Sequence, residues 1–105
     1  MNSRADLFLA IHVLFYTNPR RQWLIKEEFS DLEELRVEFE SYLRKNHYEE
    51  KSISLLVRQL SEFDPAEYRQ RLEKQSIQWI SCEDELFPSL LLEIHDPPVI
   101  LTYKG

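Results

Sequence analysis

Glycine occurs once in the 105-residue sequence, as Gly105, and this scarcity excludes several classes of functional site. Phosphate-binding loops and dinucleotide-binding turns require glycines where the backbone approaches a ligand closely or adopts a positive φ. The sequence contains neither motif. It also lacks the glycine-bearing hairpin through which paired helices grip a DNA backbone.

Cysteine and histidine are also few. Cys82 is the single cysteine, so the sequence predicts no internal disulfide and no thiolate metal cluster, and it suits a reducing compartment. We interpret Cys82 as a packing residue rather than a reactive thiol, and the carboxylates of residues 83–85 as solvated. The three histidines, His12, His47 and His95, lie in different predicted elements without metal-ligand spacing. We therefore predict no metal, no cofactor and no catalytic residue, and a protein that is not an enzyme.

Long apolar runs are absent as well. The longest, Leu7 to Tyr16, is far shorter than the ~20 residues that a membrane-spanning helix needs. No small-residue cleavage site follows it, so the sequence predicts neither a membrane span nor a signal peptide. We expect a cytoplasmic protein without a membrane partner.

Acidic residues outnumber basic ones, and the formal net charge of −6 argues against a dominant phosphate-binding role. Four glutamates recur on the outer surface of one predicted helix: Glu33, Glu34, Glu38 and Glu40. We interpret them as a solvated face, although the same charges would repel DNA or attract a basic partner.

Two groups of basic residues are candidates for nucleic-acid contact. They are Arg44, Lys45 and Lys51 at the junction of two predicted helices, and Arg20 and Arg21 in a short segment upstream. In that segment Trp23 is able to stack on a base. The alternative, which we favour, places Trp23 and Leu24 in the core and leaves both arginines solvated. We expect weak or no binding of single-stranded DNA by this chain.

Helical periodicity and capping signals predict four helices and a short amphipathic segment within residues 1–75. The first helix is apolar on almost every side and is predicted to lie at the centre. Asn18 and Asp64, each followed by proline, and Ser30 are predicted caps. The last helix is predicted to lie at the surface with Arg69 facing solvent. The predicted core includes Ile11, Leu35, Phe39, Leu56 and Leu60.

From Ser76 the period changes, and we place a domain boundary there. The sequence predicts a strand at Ile77–Ile80, a helix at Pro88–Ile94 and a strand at Val99–Tyr103. Residues 76–105 are too apolar to remain solvated, so we expect them to pack on the helical domain, pair with another chain, or swap. Self-association through residues 76–105 is the outcome that we favour.

Residues 84–105 resemble the segment that precedes the Rossmann-like domain in the DNA-processing protein A (DprA/Smf) family. The matching residues are Asp84, Phe87, Pro88, Leu91, Ile94, Asp96, Pro98, Leu101, Tyr103, Lys104 and Gly105. The resemblance implies that Phe87, Pro88, Leu91, Ile94, Asp96, Pro98 and Gly105 have structural roles. It implies a mainly α fold, with a helical bundle of the sterile-alpha-motif or helix-hairpin-helix class at 1–75. Residues 76–105 would form a short β-α-β extension that leads into a Rossmann-like domain.

The resemblance implies a single-stranded-DNA-binding protein that loads RecA recombinase during DNA uptake and transformation, without enzymatic turnover. Because the glycine-bearing hairpin is missing, we expect the helical domain to serve protein interaction more than DNA contact. Two alternatives stay open: a stand-alone helical interaction module, and a fragment of a Rossmann-like nucleotide-processing enzyme. Sequence beyond residue 105 would discriminate, since a Gly-Ser-Arg phosphate loop indicates DNA processing and a catalytic carboxylate motif indicates an enzyme.

Overall fold

The computed structural model describes residues 3–89, 93 and 97–104, which form a mainly helical protein with one small sheet. The helices are α1 (Ser3–Leu14), α2 (Pro19–Glu28), α3 (Leu32–Lys45), α4 (Glu50–Glu62) and α5 (Pro65–Lys74). The strands are β1 (Ile77–Ser81) and β2 (Ile100–Lys104). The predicted helix Pro88–Ile94 lies mostly outside the described residues, as do Leu91, Ile94, Asp96 and Gly105 of the family motif. None of the described helices combines the length and apolarity needed to span a membrane.

Helix α1 lies at the centre of the molecule, as predicted. Its consecutive residues 7–11 are all buried, which requires neighbours on every side of the helix. Those neighbours are α2, α3, α4, α5 and β2. An apolar helix without a polar face is stable only in such surroundings, and the short α2 and α5 therefore cover it together with α3 and α4.

The helix boundaries follow local capping chemistry. The Asn18 side chain accepts a hydrogen bond from the backbone N–H of Arg21 at 3.1 Å, and Asp64 caps α5 in the same way. Helix α3 differs from the prediction, because its cap is Asp31 and not Ser30. Asp31 accepts from the Glu34 N–H, and the Glu34 carboxylate accepts from the Ser30 N–H, each at 2.8 Å. The cap is thus displaced by one residue, since a carboxylate is the stronger acceptor for helix N–H groups, and Glu34 accepts from the N–H that precedes the cap rather than from that of the cap residue.

Most of the predicted core is confirmed. Ile11, Leu35, Phe39 and Leu60 are buried, while Leu56 is half-buried against them. The placement of Leu24 in the core is wrong, because its side chain is 46% exposed. Helix α2 instead directs Gln22 and Ile25 inward.

Gln22 is buried, and both polar atoms of its side-chain amide are hydrogen-bonded. Its Nε2 donates to the carbonyl of Phe15 at 2.7 Å, and its Oε1 accepts from the Val99 N–H at 3.2 Å. One amide side chain therefore connects the end of α1 to the residue before β2.

The two strands form an antiparallel pair in which Ile77 lies opposite Lys104 and Ser81 lies opposite Ile100. Successive strands of a βαβ crossover run parallel, so this pair is not such a unit. Strand β1 also contacts α5, and β2 contacts α1. Five residues of this segment join the helical core: Ile80, Cys82, Phe87, Val99 and Ile100. Among the described residues the segment thus packs on the helical domain, and self-association through residues 76–105 stays a prediction.

Candidate functional site

The junction between α3 and α4 holds the first predicted basic group, but its arginine is neutralised within the chain. Arg44 donates to the carboxylate of Glu40 at 3.0 Å and to that of Glu50. The hydrogen bond with Glu50 raises the pKa of the Arg44 guanidinium. Lys45 and Lys51 are exposed, and among the described residues no carboxylate pairs with either. The group is therefore a mixed-charge surface and not a basic patch.

The second predicted basic group divides in two. Arg20 is exposed. The prediction that Arg21 is solvated is wrong. Its guanidinium lies 5.3 Å from the ring centroid of Tyr48 and 5.9 Å from that of Tyr42. It also donates to the Tyr42 hydroxyl at 3.0 Å. Arg21 thus fixes α2 against the end of α3, and Trp23 is partly buried with the Lys26 ammonium 4.6 Å from its ring.

A groove runs between α2 and α3, because both helices pack on α1 and leave space between their outer faces. It consists of two adjoining depressions of about 270 and 280 Å³ that share Glu28, Tyr42 and Lys45. The other residues that line it are Arg21, Leu24, Phe29, Glu34, Glu38, Ser41 and Asn46. We call this the α2–α3 groove. Its α3 wall has the spacing i, i+4, i+7, i+11, which places Glu34 to Lys45 on one helix face.

The floor of the α2–α3 groove is aromatic. Phe29 and Tyr42 pack edge to face with ring centroids 5.4 Å apart, and both rings are largely buried. Leu24 adds an exposed aliphatic side chain to the same wall. Glu34 and Glu38 line only the depression that Phe29 lines, Arg21 lines only the other one, and Glu28 and Lys45 line both. The groove is therefore of mixed charge, with Glu34 and Glu38 toward the N-terminal end of α3 and Lys45 at its C-terminal end.

A second depression, of about 620 Å³, lies between α5 and β1 and is lined by residues that include Leu72, Ile77 and Trp79. Arg69 also lines this depression, whereas the sequence predicted that it faces solvent. Its guanidinium pairs with Asp6 of α1 and lies 5.8 Å from the Trp79 ring centroid. Arg69 therefore attaches α5 to both α1 and β1.

The loop after β1 is attached to the helices by charge. Arg4 of α1 donates to both carboxylate oxygens of Glu83 at 3.0 Å, and Lys26 lies 3.9 Å from the same carboxylate. The hydrogen bond from Arg4 lowers the pKa of Glu83. Glu83 therefore has basic partners although it is exposed, as are Asp84 and Glu85 in agreement with the prediction of solvated carboxylates.

Cys82 and His12 belong to the interior. Burial raises the pKa of the Cys82 thiol to about 11, so the nucleophilic thiolate is disfavoured and the packing interpretation fits. His12 is 9% exposed, and burial lowers its pKa. His47 has a φ of 64° in the turn between α3 and α4. Within the described part of the chain, no group of His, Cys, Asp and Glu side chains has the geometry to hold a metal ion.

Four residues of the family motif that lie in the described part of the chain can be placed. The Asp84 side chain accepts from the Leu86 N–H at 2.9 Å and closes a turn. Phe87 then enters the core, while Pro88 is exposed and Pro98 is half-buried. The chain finds no match among protein-family models, curated proteins or solved structures. Its function is therefore argued from these surfaces and from the resemblance of residues 84–105.

Proposed function

We propose that the chain is the N-terminal part of a cytoplasmic, DprA-like protein that binds single-stranded DNA and loads RecA recombinase during DNA uptake, without being an enzyme. Within that protein, the helical domain contacts protein rather than DNA. The resemblance of residues 84–105 supports the family. The preference for protein contact over DNA contact rests on Arg21 and Arg44, because neighbouring side chains already interact with both guanidinium groups.

Binding to a DNA backbone depends on cations that are free to replace the counterions of the phosphates. Arg44 already pairs with two carboxylates, and Arg21 is held between two tyrosines. Lys45 and Lys51, which form no ion pair among the described residues, lie in a chain whose net charge is −6. Phosphate contact by Arg44 would first require breaking its ion pairs with Glu40 and Glu50.

A stand-alone interaction module is the second candidate, and one observation favours it. The residues around β1 and β2 complete the core of the helical domain, with Val99 and Ile100 almost inaccessible to solvent. The described residues thus pack as one unit that is able to present an interaction surface.

The experiment is a pair of titrations of the purified chain at ~150 mM salt, one with fluorescein-labelled oligothymidine and one with purified RecA. We expect no saturable binding of the oligonucleotide and measurable binding of RecA by biolayer interferometry. Submicromolar affinity for oligothymidine would overturn the preference for protein. Absence of RecA binding would overturn recombinase loading by this domain, and coding sequence after residue 105 without a Gly-Ser-Arg phosphate loop would contradict the family.

A further inference from the structure

The α2–α3 groove is an interaction surface whose chemistry specifies its occupant. We infer that it binds a short amphipathic segment of a partner protein, with Lys or Arg residues at one end and one large apolar side chain as an anchor. The inference rests on the proposed function, and it assigns the surface and the partner chemistry that the proposed function leaves open.

The anchor position is defined by the floor of the groove. The Phe29 and Tyr42 rings pack against each other, and the hydrogen bond from Arg21 to the Tyr42 hydroxyl holds the second ring in place. Leu24 lines the same depression as Tyr42 and is 46% exposed, whereas Phe29 and Tyr42 are largely buried. A leucine or aromatic side chain from a partner would cover the exposed Leu24 side chain beside Tyr42, as anchors of helix-in-groove complexes do.

The charged side chains of the groove determine which residues of a partner segment can lie next to its anchor. Glu28 and Glu38 form no ion pair among the described residues, unlike Glu50 at the α3–α4 junction and Glu67 of α5. The Glu34 carboxylate accepts a hydrogen bond from the Ser30 N–H at 2.8 Å. A basic segment would give these carboxylates their missing counterpart, whereas a nucleic acid would be repelled.

The length of the groove fits a helix of modest size. Glu34 and Lys45 are 11 positions apart on α3, which is about 16 Å at the ~1.5 Å rise per residue of an α-helix. A partner helix of about three turns spans this distance. Its basic residues would lie over the glutamates at the Phe29 end, and the Lys45 end would accept its neutral or acidic end.

The test uses the full chain and two defined peptides of about 14 residues. One is an amphipathic helix of leucine, alanine and lysine, and the other has glutamate in place of every lysine. Each carries fluorescein and is titrated by fluorescence anisotropy, while amide chemical shifts of the labelled protein locate the contact. We expect the lysine peptide alone to bind, with shifts concentrated at Leu24, Glu28, Phe29, Glu38 and Tyr42.

Charge reversal separates the groove from the general acidity of the protein. The Glu28→Lys, Glu38→Lys double variant should weaken binding of the lysine peptide on the order of tenfold relative to a matched control. The control, Glu73→Lys with Glu85→Lys, changes the net charge equally at exposed sites outside the groove. Leu24→Ser should also weaken binding, because it removes exposed apolar contact area.

Four results would overturn the inference. They are equal weakening by both double variants, chemical shifts confined to the surface of α5 and β1, failure of the lysine peptide to bind, and concentration-dependent dimerisation that Glu28→Lys, Glu38→Lys abolishes. The last result would assign the groove to a second copy of the chain. RecA binding distinguishes this failure from failure of the proposed function: if RecA binds the wild type and the Glu28→Lys, Glu38→Lys variant equally, only the groove assignment fails.

Discussion

Replacement of Gln22 by leucine tests whether the segment around β2 is held by one side chain of α2. Gln22 is 1% exposed, and Gln22→Leu preserves approximate size while removing both of its hydrogen bonds. The Phe15 carbonyl keeps a second donor, the Asn18 N–H at 3.0 Å. The N–H of Val99, a residue with no exposed surface, loses the partner that it has in the wild type.

The expected magnitude follows from this asymmetry. A buried donor left without a partner costs roughly 1–3 kcal/mol, and loss of one of two bonds to a carbonyl about 0.5–1.5 kcal/mol. The apolar leucine offsets part of this loss, which leaves a decrease of about 1–3 kcal/mol in the free energy of unfolding. In urea, where m is about 1–3 kcal/mol/M, the midpoint should fall by on the order of 1 M.

Urea denaturation followed by tryptophan fluorescence measures the global effect, and amide exchange at Val99 measures the local one. Exchange at Val99 should accelerate about tenfold or more, since ~1.4 kcal/mol corresponds to a factor of ten. Gln70→Leu, an exposed glutamine on α5, is the matched control and should remain within about 0.5 kcal/mol of wild type. A Gln22→Leu variant with wild-type midpoint and unchanged Val99 exchange would refute the role of this amide.

Two further predictions concern the helical core. Leu60→Ala should lower the free energy of unfolding by about 2–5 kcal/mol because Leu60 is 3% exposed, whereas the control Leu55→Ala, at a position 53% exposed, should change it far less in the same urea assay. Wild-type stability of Leu60→Ala would show that the phase of α4 is wrong. Burial lowers the pKa of His12, so the unfolded chain takes up the proton more readily, and stability present above about pH 6.5 should be lost as pH falls toward the folded-state pKa. Urea midpoints at pH 7.5 and 5.5 should differ more for wild type than for His12→Gln, and an equal difference would contradict the prediction.

Features determined by neighbouring residues could be predicted from the sequence. The central position of α1 follows from an apolar stretch with no polar side, and Asn18 and Asp64 cap helices because their side chains reach N–H groups two or three residues away. The cap of α3 shows the limit of this approach, because Asp31 has the role that was predicted for Ser30. Both residues satisfy the same capping pattern in the sequence, and only their relative strength as hydrogen-bond acceptors distinguishes them.

Features determined by distant partners could not be predicted. Gln22 is the polar neighbour of Trp23 and Leu24 in sequence, yet it is the residue that turns inward, because its partners lie 7 and 77 positions away. Arg69 has the same explanation, since Asp6 is 63 positions from it. A hydrophobicity pattern assigns polar residues to the surface, and it contains no information about which of them meet a partner inside.

The α2–α3 groove combines both kinds of information. From the sequence we interpreted the glutamates of α3 as a solvated face whose charges would attract a basic partner. That interpretation depended only on residues that are close together in the sequence. The aromatic floor was not predictable, because Phe29 and Tyr42 meet only after α2 and α3 have packed on α1. Gln22 occupies the inward position on α2 that the sequence prediction gave to Leu24. Leu24 is therefore exposed and forms part of the groove.

The net charge of the chain is −6, and its ion pairs determine which charged side chains remain available to a partner. Several arginines are engaged by neighbouring groups, and Arg36, for example, donates to the carbonyls of Leu60 and Phe63 at the end of α4. Glu28 and Glu38 remain unpaired among the described residues. Three carboxylates of the groove, those of Glu28, Glu34 and Glu38, face two cations, Arg21 and Lys45, so the charged side chains of the groove are acidic on balance. The basic segment that we infer complements this balance, whereas a polyanion would not.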